Sequence, residues 1–350
     1  MFEQDFYQTH RSEAFALSNC LRHETSLVAF IESLLISRGY QQIEQRQWQK
    51  NNQKVVVCFV DDFRICSKKF TSAPAQWFDS DTVVITDNWL PFATQYTVCK
   101  TPDSYFGIYN YVPRDVEFYP TRRFHVSMNR LDSQRLLLFF EFQRTVLDFS
   151  KDYVNFNARP GDRAMLLSDV QQHFDAVWNN LQPAFESDYH ETYLQTRSLI
   201  PVRNHDLEIE QACVRAYLNI VVETYAGDQT VAFSEKIFRA LVTPAPWIVY
   251  SARGAVKYLK DLGFDVMDDL VDHSYDTVSQ DNSYMGINKI KNFVVHSQAV
   301  ADHLMIQPIQ SLKERCNRAA YHNQQLLSKM SQNWHLDCAA WLPNVIAKVQ

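Results

Sequence analysis

The chain reads as an α/β protein of two doubly wound domains facing a cleft, followed by a helical C-terminal tail. Three observations predict this. Short, continuously apolar, β-branched runs closed by acids occur in both halves, as in KVVVCFV (Lys54 to Val60) and AYLNIVVETY (Ala216 to Tyr225). Such runs fit buried parallel strands. Segments of helical period alternate with them, which argues for parallel sheets wrapped by helices. The length of 350 residues exceeds one ordinary domain and suits two. The expected divisions are an acceptor-side domain over 1–118, a donor-binding domain over 119–300, and a helical segment over 301–350.

In the first half, TSLVAFIESLLISRGY (Thr25 to Tyr40) has a Thr/Ser start, helical apolar spacing and Gly39 at the stop. The strand of Lys54 to Val60 ends at Asp61 and Asp62, and DTVVITDNWLP repeats that form, with Val83 to Thr86 followed by Asp87 and Pro91. YNYVPRDVEFYP, Tyr109 to Pro120, carries two prolines and little periodicity, and reads as an extended crossing segment. The second half opens with a short strand in RRFHVSMNR, then a helix in SQRLLLFFEFQRTVLDF with Ser133 as its cap. A helical region around Asp169 to Phe185 comes next. Ala216 to Tyr225 is a strand, SEKIFRALV a helix, PWIVYS a strand and GAVKYLKDLG a helix. FDVMDDL is a strand or loop, and Asn292 to Trp334 is largely helical.

Composition excludes several classes. Hydrophobic residues are 46% and charged residues 21%, a globular balance that excludes disorder as the main state. With only 7 glycines there is no GxGxxG and no GxxxxGK[ST], so a phosphorylated ligand would be held by helix N-termini and Arg/Lys side chains. Seven scattered cysteines form no CxxC pair and no zinc-type cluster with histidine, which fits free thiols in a reducing compartment. The opening MFEQDFYQTHRSEAF lacks the basic-then-apolar pattern of a signal peptide, and no apolar run is long enough for a membrane helix. The expected compartment is the cytoplasm, with no membrane partner. The net charge of -6 gives no global attraction to nucleic acid. Lys289, Lys291, Lys313, Arg315 and Arg318 form a basic set that either faces nucleic acid or is an ordinary solvated face.

Three constellations could carry chemistry. Ser234, Glu235 and Lys236 open a helix directly after a buried strand. The free N–H groups there, the helix dipole and a lysine attract an anion, and Glu235 can accept two hydrogen bonds from a diol such as ribose. The bland alternative is a capped helix with a solvated Glu-Lys pair. In FHVSMNRLDSQR, Ser127, Asn129, Arg130 and Arg135 fit a strand-turn-helix whose guanidinium fork suits a pyrophosphate, against the alternative of surface arginines. Asp61, Asp62 and Asp87, at strand ends, are either caps or candidates for a general base. Asp79-Ser80-Asp81 has the form of a metal–nucleotide motif but precedes a strand, and reads as a turn. The histidines form no HExxH pair.

The stretch from Val221 to Phe264 resembles the donor-binding region of fucosyltransferase-like and exostosin-like glycosyltransferases. The resemblance rests on Glu223 and Thr224 at the strand end, Ser234-Glu235-Lys236, Pro246, and the Leu262-Gly263-Phe264 close. Val242 to Ala245 depart from the small residues usual there. TDNWLP and PDSYFGIYNYVP resemble phage members of this group. The resemblance implies the twin-domain architecture called GT-B, and a metal-independent, inverting transfer from a nucleotide-diphosphate sugar as co-substrate, with no further cofactor. Asp87, before Asp62 and Asp61, would be the base, with Arg130, Arg135 and Lys236 on the diphosphate and Glu235 on the ribose. Ser127, Asn129, Glu223, Thr224 and Ser234 would complete the donor site. A hydroxymethylated base in phage DNA or a surface glycan precursor would be the acceptor. The competing reading is a catalytically inactive interaction protein on the same scaffold.

Overall fold

A computed structural model describes residues 24–44, 47–57, 81–86, 97–100, 116–128, 133–148, 152–156, 205–223, 231, 233–278 and 286–348. In chain order these form α1 (Glu24–Ser37), β1 (Gln41–Glu44), β2 (Gln47–Lys50), β3 (Gln53–Val57), β4 (Thr82–Thr86), β5 (Thr97–Lys100), β6 (Arg122–Met128), α2 (Ser133–Thr145), β7 (Tyr153–Phe156), α3 (His205–Val214) and β8 (Ala216–Val222). They continue with α4 (Glu235–Val242), β9 (Trp247–Tyr250), α5 (Ala255–Asp261), a 3-10 turn (Ser274–Thr277), α6 (Ile287–Met305) and α7 (Ile309–Lys348). The protein is mixed α/β. Two compact units make it up: Met1–Val112 with Gln229–Ala232 and Leu326–Gln350, and Pro113–Asp228 with Phe233–Gln325.

In the first unit, α1 stops where glycine was expected to stop it. Gly39 has φ +83, its N–H bonds Ile36 O at 2.9 Å, and Tyr40 N–H reaches Leu35 O at 3.0 Å. This is a Schellman close, with Leu35 and Tyr40 both buried. The sheet order is β1-β2-β3-β4-β5, with β3, β4 and β5 parallel and β1, β2 and β3 antiparallel. The parallel part places the strands expected at Lys54 and Val83 side by side, Val55 opposite Val83. The hairpin part was not expected. It turns at Asn51-Asn52, where Asn51 takes φ +53, a conformation asparagine tolerates.

Among the described residues of the second unit every strand pairing is parallel, in the order β7-β6-β8-β9. The β8 and β9 sequences are apolar on both faces because both are covered: Leu218, Ile220, Val222, Trp247 and Ile248 are at most 0% exposed. On one face α2 and α6 pack together through Phe142 and Phe293, and Phe293 meets Tyr250 of β9 edge-on at 5.2 Å. The other face presents His125 and Asn219 toward α3.

The strand-helix period read from Ala216 to Gly263 is present element for element. α5 ends at Gly263, φ +93, with Phe264 N–H on Leu259 O at 3.1 Å, so the Leu-Gly-Phe close is a helix C-cap. FDVMDDL is loop. The last carbonyls of α4 are satisfied from α7: Asn323 donates to Leu241 O at 2.9 Å and Gln324 to Val242 O at 3.0 Å. Asn323 is fully buried and also pairs with Asp265 through both its backbone N–H and its carbonyl. The region around Asp169 to Phe185 lies outside the described residues.

Candidate functional site at the carboxyl ends of β6 and β8

Parallel order alone selects one position in the second unit. From β6 the chain goes to β7 on one side; from β8 it goes to β9 on the other. The connections leaving these two adjacent strands therefore part at their carboxyl ends. In open α/β sheets that switch point is where ligands bind.

Four of the residues singled out in the sequence meet there. Glu223 follows the last residue of β8, is 2% exposed, and its N–H bonds Tyr250 O at 3.0 Å. Its carboxylate accepts the Ser234 N–H at 3.1 Å and the Ser234 hydroxyl at 2.6 Å. Ser234 is the N-cap of α4, its oxygen accepting Lys236 N–H. The same oxygen accepts from Lys236 Nζ at 2.8 Å, and that ammonium lies 3.8 Å from Glu223. From across the switch point, the Arg135 Nε in the first turn of α2 donates to Glu223 O at 3.3 Å. Gln134 beside it donates to the Tyr250 hydroxyl at 3.1 Å.

Neither Lys236 nor Arg135 lies on a solvated face. Lys236 and Arg135 are 6% and 3% exposed, and the carboxylate facing Ser234 and Lys236 is Glu223, eleven residues upstream. The anion drawn to the α4 N-terminus is thus supplied by the protein itself. A buried charged pair of this kind holds geometry: removing one partner typically costs about 3–5 kcal/mol, because the other charge is left buried alone.

Ser127 lies in β6 opposite Val221 of β8, and Glu235 is the first residue of α4; their side chains are outside the description. Asn129, Arg130 and Thr224 lie outside the described residues, as do Asp61, Asp62 and Asp87. Asp81 is in the turn before β4, as expected; its carbonyl accepts Lys54 N–H. The basic set is mostly committed within the protein. Lys289 is 6% exposed and donates to Ser251 O, Lys313 pairs with Glu117, and Arg315 forks onto Asp265 and also holds Asp269. Lys291 and Arg318 are exposed.

Behind the switch point lies a polar cluster that the sequence reading did not single out. His125 Nδ1 is 3.0 Å from Asn219 Oδ1 and 3.3 Å from Cys213 Sγ. Burial lowers the His125 pKa to about 4, against the hydrogen bond to Asn219, with nearby Arg239 lowering it further. Burial raises the Cys213 thiol to about 12. Both side chains are buried, and their bonds together with those of Asn219 join β6, β8 and α3. Among the described residues no group of three or more His, Cys, Asp or Glu is placed to hold a metal, and no helix is long and apolar enough to cross a membrane.

Compared with protein-family models, with curated proteins and with solved structures, the chain matches none.

Proposed function

We propose that the chain is a nucleotide-sugar-dependent glycosyltransferase of GT-B type, with the donor on the second unit and the acceptor on the first. The observation that carries this is the convergence of Arg135, Glu223, Ser234 and Lys236 on the carboxyl edge where β6 and β8 diverge. The resemblance over Val221 to Phe264 implies a donor at Glu223, Ser234 and Lys236 among these. Arg130 and Asn129, next in sequence after β6, would meet the diphosphate, and a guanidinium there would stabilise the departing nucleotide without a metal. Glu235 would take the ribose diol. A first-unit carboxylate, Asp87 foremost, would accept the acceptor hydroxyl's proton during inversion. A hydroxymethylated DNA base and a glycan precursor are the acceptors to test.

Glu223 modifies the roles. Because its carboxylate holds the Ser234 cap of α4 and pairs with Lys236, those residues would build the floor of the donor site, and Asn129, Arg130 and Glu235 would make the contacts. The test is calorimetric titration with a panel of nucleoside diphosphates. Binding of one of them, lost in Arg130→Ala and Glu235→Ala with unchanged melting temperature, supports the reading. Unchanged affinity in both variants overturns the site assignment.

A second reading, a catalytically inactive interaction protein, is favoured by that same internal carboxylate, since a helix end that already holds an anion needs no ligand. Absence of binding across the whole panel would favour it.

A further inference from the structure

Helix α6 carries apolar residues on two sides, and the core uses one of them. Phe293, Val294, Val300, Ala301 and Leu304 are buried where α6 packs on α2 and β8. On the opposite side Lys291, Val295, Ala299, Asp302 and Ile306 fall within an arc of about 80°, since an α-helix turns once in about 3.6 residues. All five are exposed, Val295 at 68% and Ile306 at 79%. β-Branched residues lower helix propensity, so these two weaken the isolated helix without serving the core. Met305 and Ile309, close to Ile306 in sequence, are exposed as well.

The order of residues along this face identifies its occupant. At about 1.5 Å of rise per residue, Lys291 and Asp302 stand roughly 16 Å apart along the helix, and Val295 lies about 2 Å from their midpoint. A second copy laid antiparallel across a two-fold axis at that midpoint sets Lys291 against the partner's Asp302. An isologous contact repeats every pair, so the same ion pair forms at both ends. Val295 then meets its own counterpart near the axis, and the small side chain of Ala299 beside it lets the helices approach. A nucleic acid or an anionic membrane would attract Lys291 and repel Asp302. We propose that the outer face of α6 is a homodimer interface, formed by antiparallel pairing with a second copy of this chain. One helix pair buries less than the roughly 800 Å² per partner of a standard interface, so the dimer should be weak, with a Kd on the order of 10 µM.

The experiment is sedimentation equilibrium of the full chain, from roughly tenfold below to tenfold above that Kd. The native chain should pass from monomer to dimer over this range. Val295→Glu should raise the Kd about tenfold or more, by placing two carboxylates at the axis. Lys291→Asp and Asp302→Lys should each do the same, since each sets like charges against one another at both ends of the pair. Mixed in equal amounts, the two charge variants should dimerise with about native affinity, because every contact between unlike copies is then Asp against Lys. All three positions are exposed and neither charge change opposes the helix dipole, so the melting temperatures should hold. A native chain that stays monomeric, a dimer that survives Val295→Glu, or a mixture that fails to recover the native affinity overturns the inference, whichever donor the chain binds.

Discussion

Glu223 and Ser234 are joined twice: the carboxylate accepts the Ser234 backbone N–H at 3.1 Å and the Ser234 hydroxyl at 2.6 Å. One side chain thereby caps α4, neutralises Lys236 and fixes the carboxyl end of β8. Glu223→Ala should therefore destabilise the second unit by about 3 kcal/mol or more, since Lys236 is left buried without its carboxylate. The double variant Glu223→Ala/Lys236→Met should recover part of that loss. Denaturant unfolding of the single and double variants measures it, and equal losses in both would contradict the pairing.

Asn323 gives a second test, remote from the site. Its side chain serves Leu241 O, Asp265 O and Asp265 N–H from a fully buried position. Asn323→Leu keeps the volume but strands three backbone groups, at about 1–3 kcal/mol for each that finds no water. A fall in the unfolding midpoint with an unchanged denaturant slope is the expected result.

Acid stability should show two opposing trends. His125, at about 4 when folded against 6.5 unfolded, binds fewer protons folded than unfolded between those values, because burial opposes its charge. Its contribution is lost as pH falls from 6.5 toward 4. Glu210, raised to about 6 by burial against the pull of Arg239, binds more protons folded than unfolded between 4.5 and 6. Its contribution is therefore lost as pH rises through that window. The two partly cancel between pH 4.5 and 6. Glu210→Gln should unmask the histidine, so that stability falls more steeply on acidification than in the native chain. A flatter pH profile would contradict this.

The two described buried thiols should be inert. Burial raises both Cys213 and Cys316 to about 12, so neither forms thiolate at pH 8. Mass spectrometry after brief alkylation should find both unmodified in the folded chain and modified in denaturant.

How far these features were legible in the sequence depended on their range. The β8-α4-β9-α5 run was legible because apolar burial on both faces of β8 and β9 imposes continuous apolar strands, and Gly263 marks a local C-cap. The hairpin of β1, β2 and β3 was missed because QQIEQRQWQK is polar and β1 is exposed throughout; the Asn51-Asn52 turn was its only signal. The partnership of Glu223 with Ser234 and Lys236 was illegible because the partners stand eleven and thirteen positions apart in sequence, and no local period reports tertiary pairing. The buried role of Lys289 had a faint signal: it shares a helix face with Phe293, Ser297 and Val300, where a lysine is out of place unless it has an internal partner. Arg135 was read as a donor-binding arginine with a surface residue as the alternative, and its bond to the Glu223 carbonyl was illegible, since charge alone does not reveal a carbonyl waiting at a strand end.

The most direct measurement of the central claim is release of nucleoside diphosphate from a panel of nucleotide sugars by the purified chain, with and without hydroxymethylated duplex DNA. One nucleotide sugar should be consumed, and Glu235→Ala and Arg130→Ala should each abolish turnover while the melting temperature holds. A chain that cleaves none of them and binds no nucleoside diphosphate would contradict that claim.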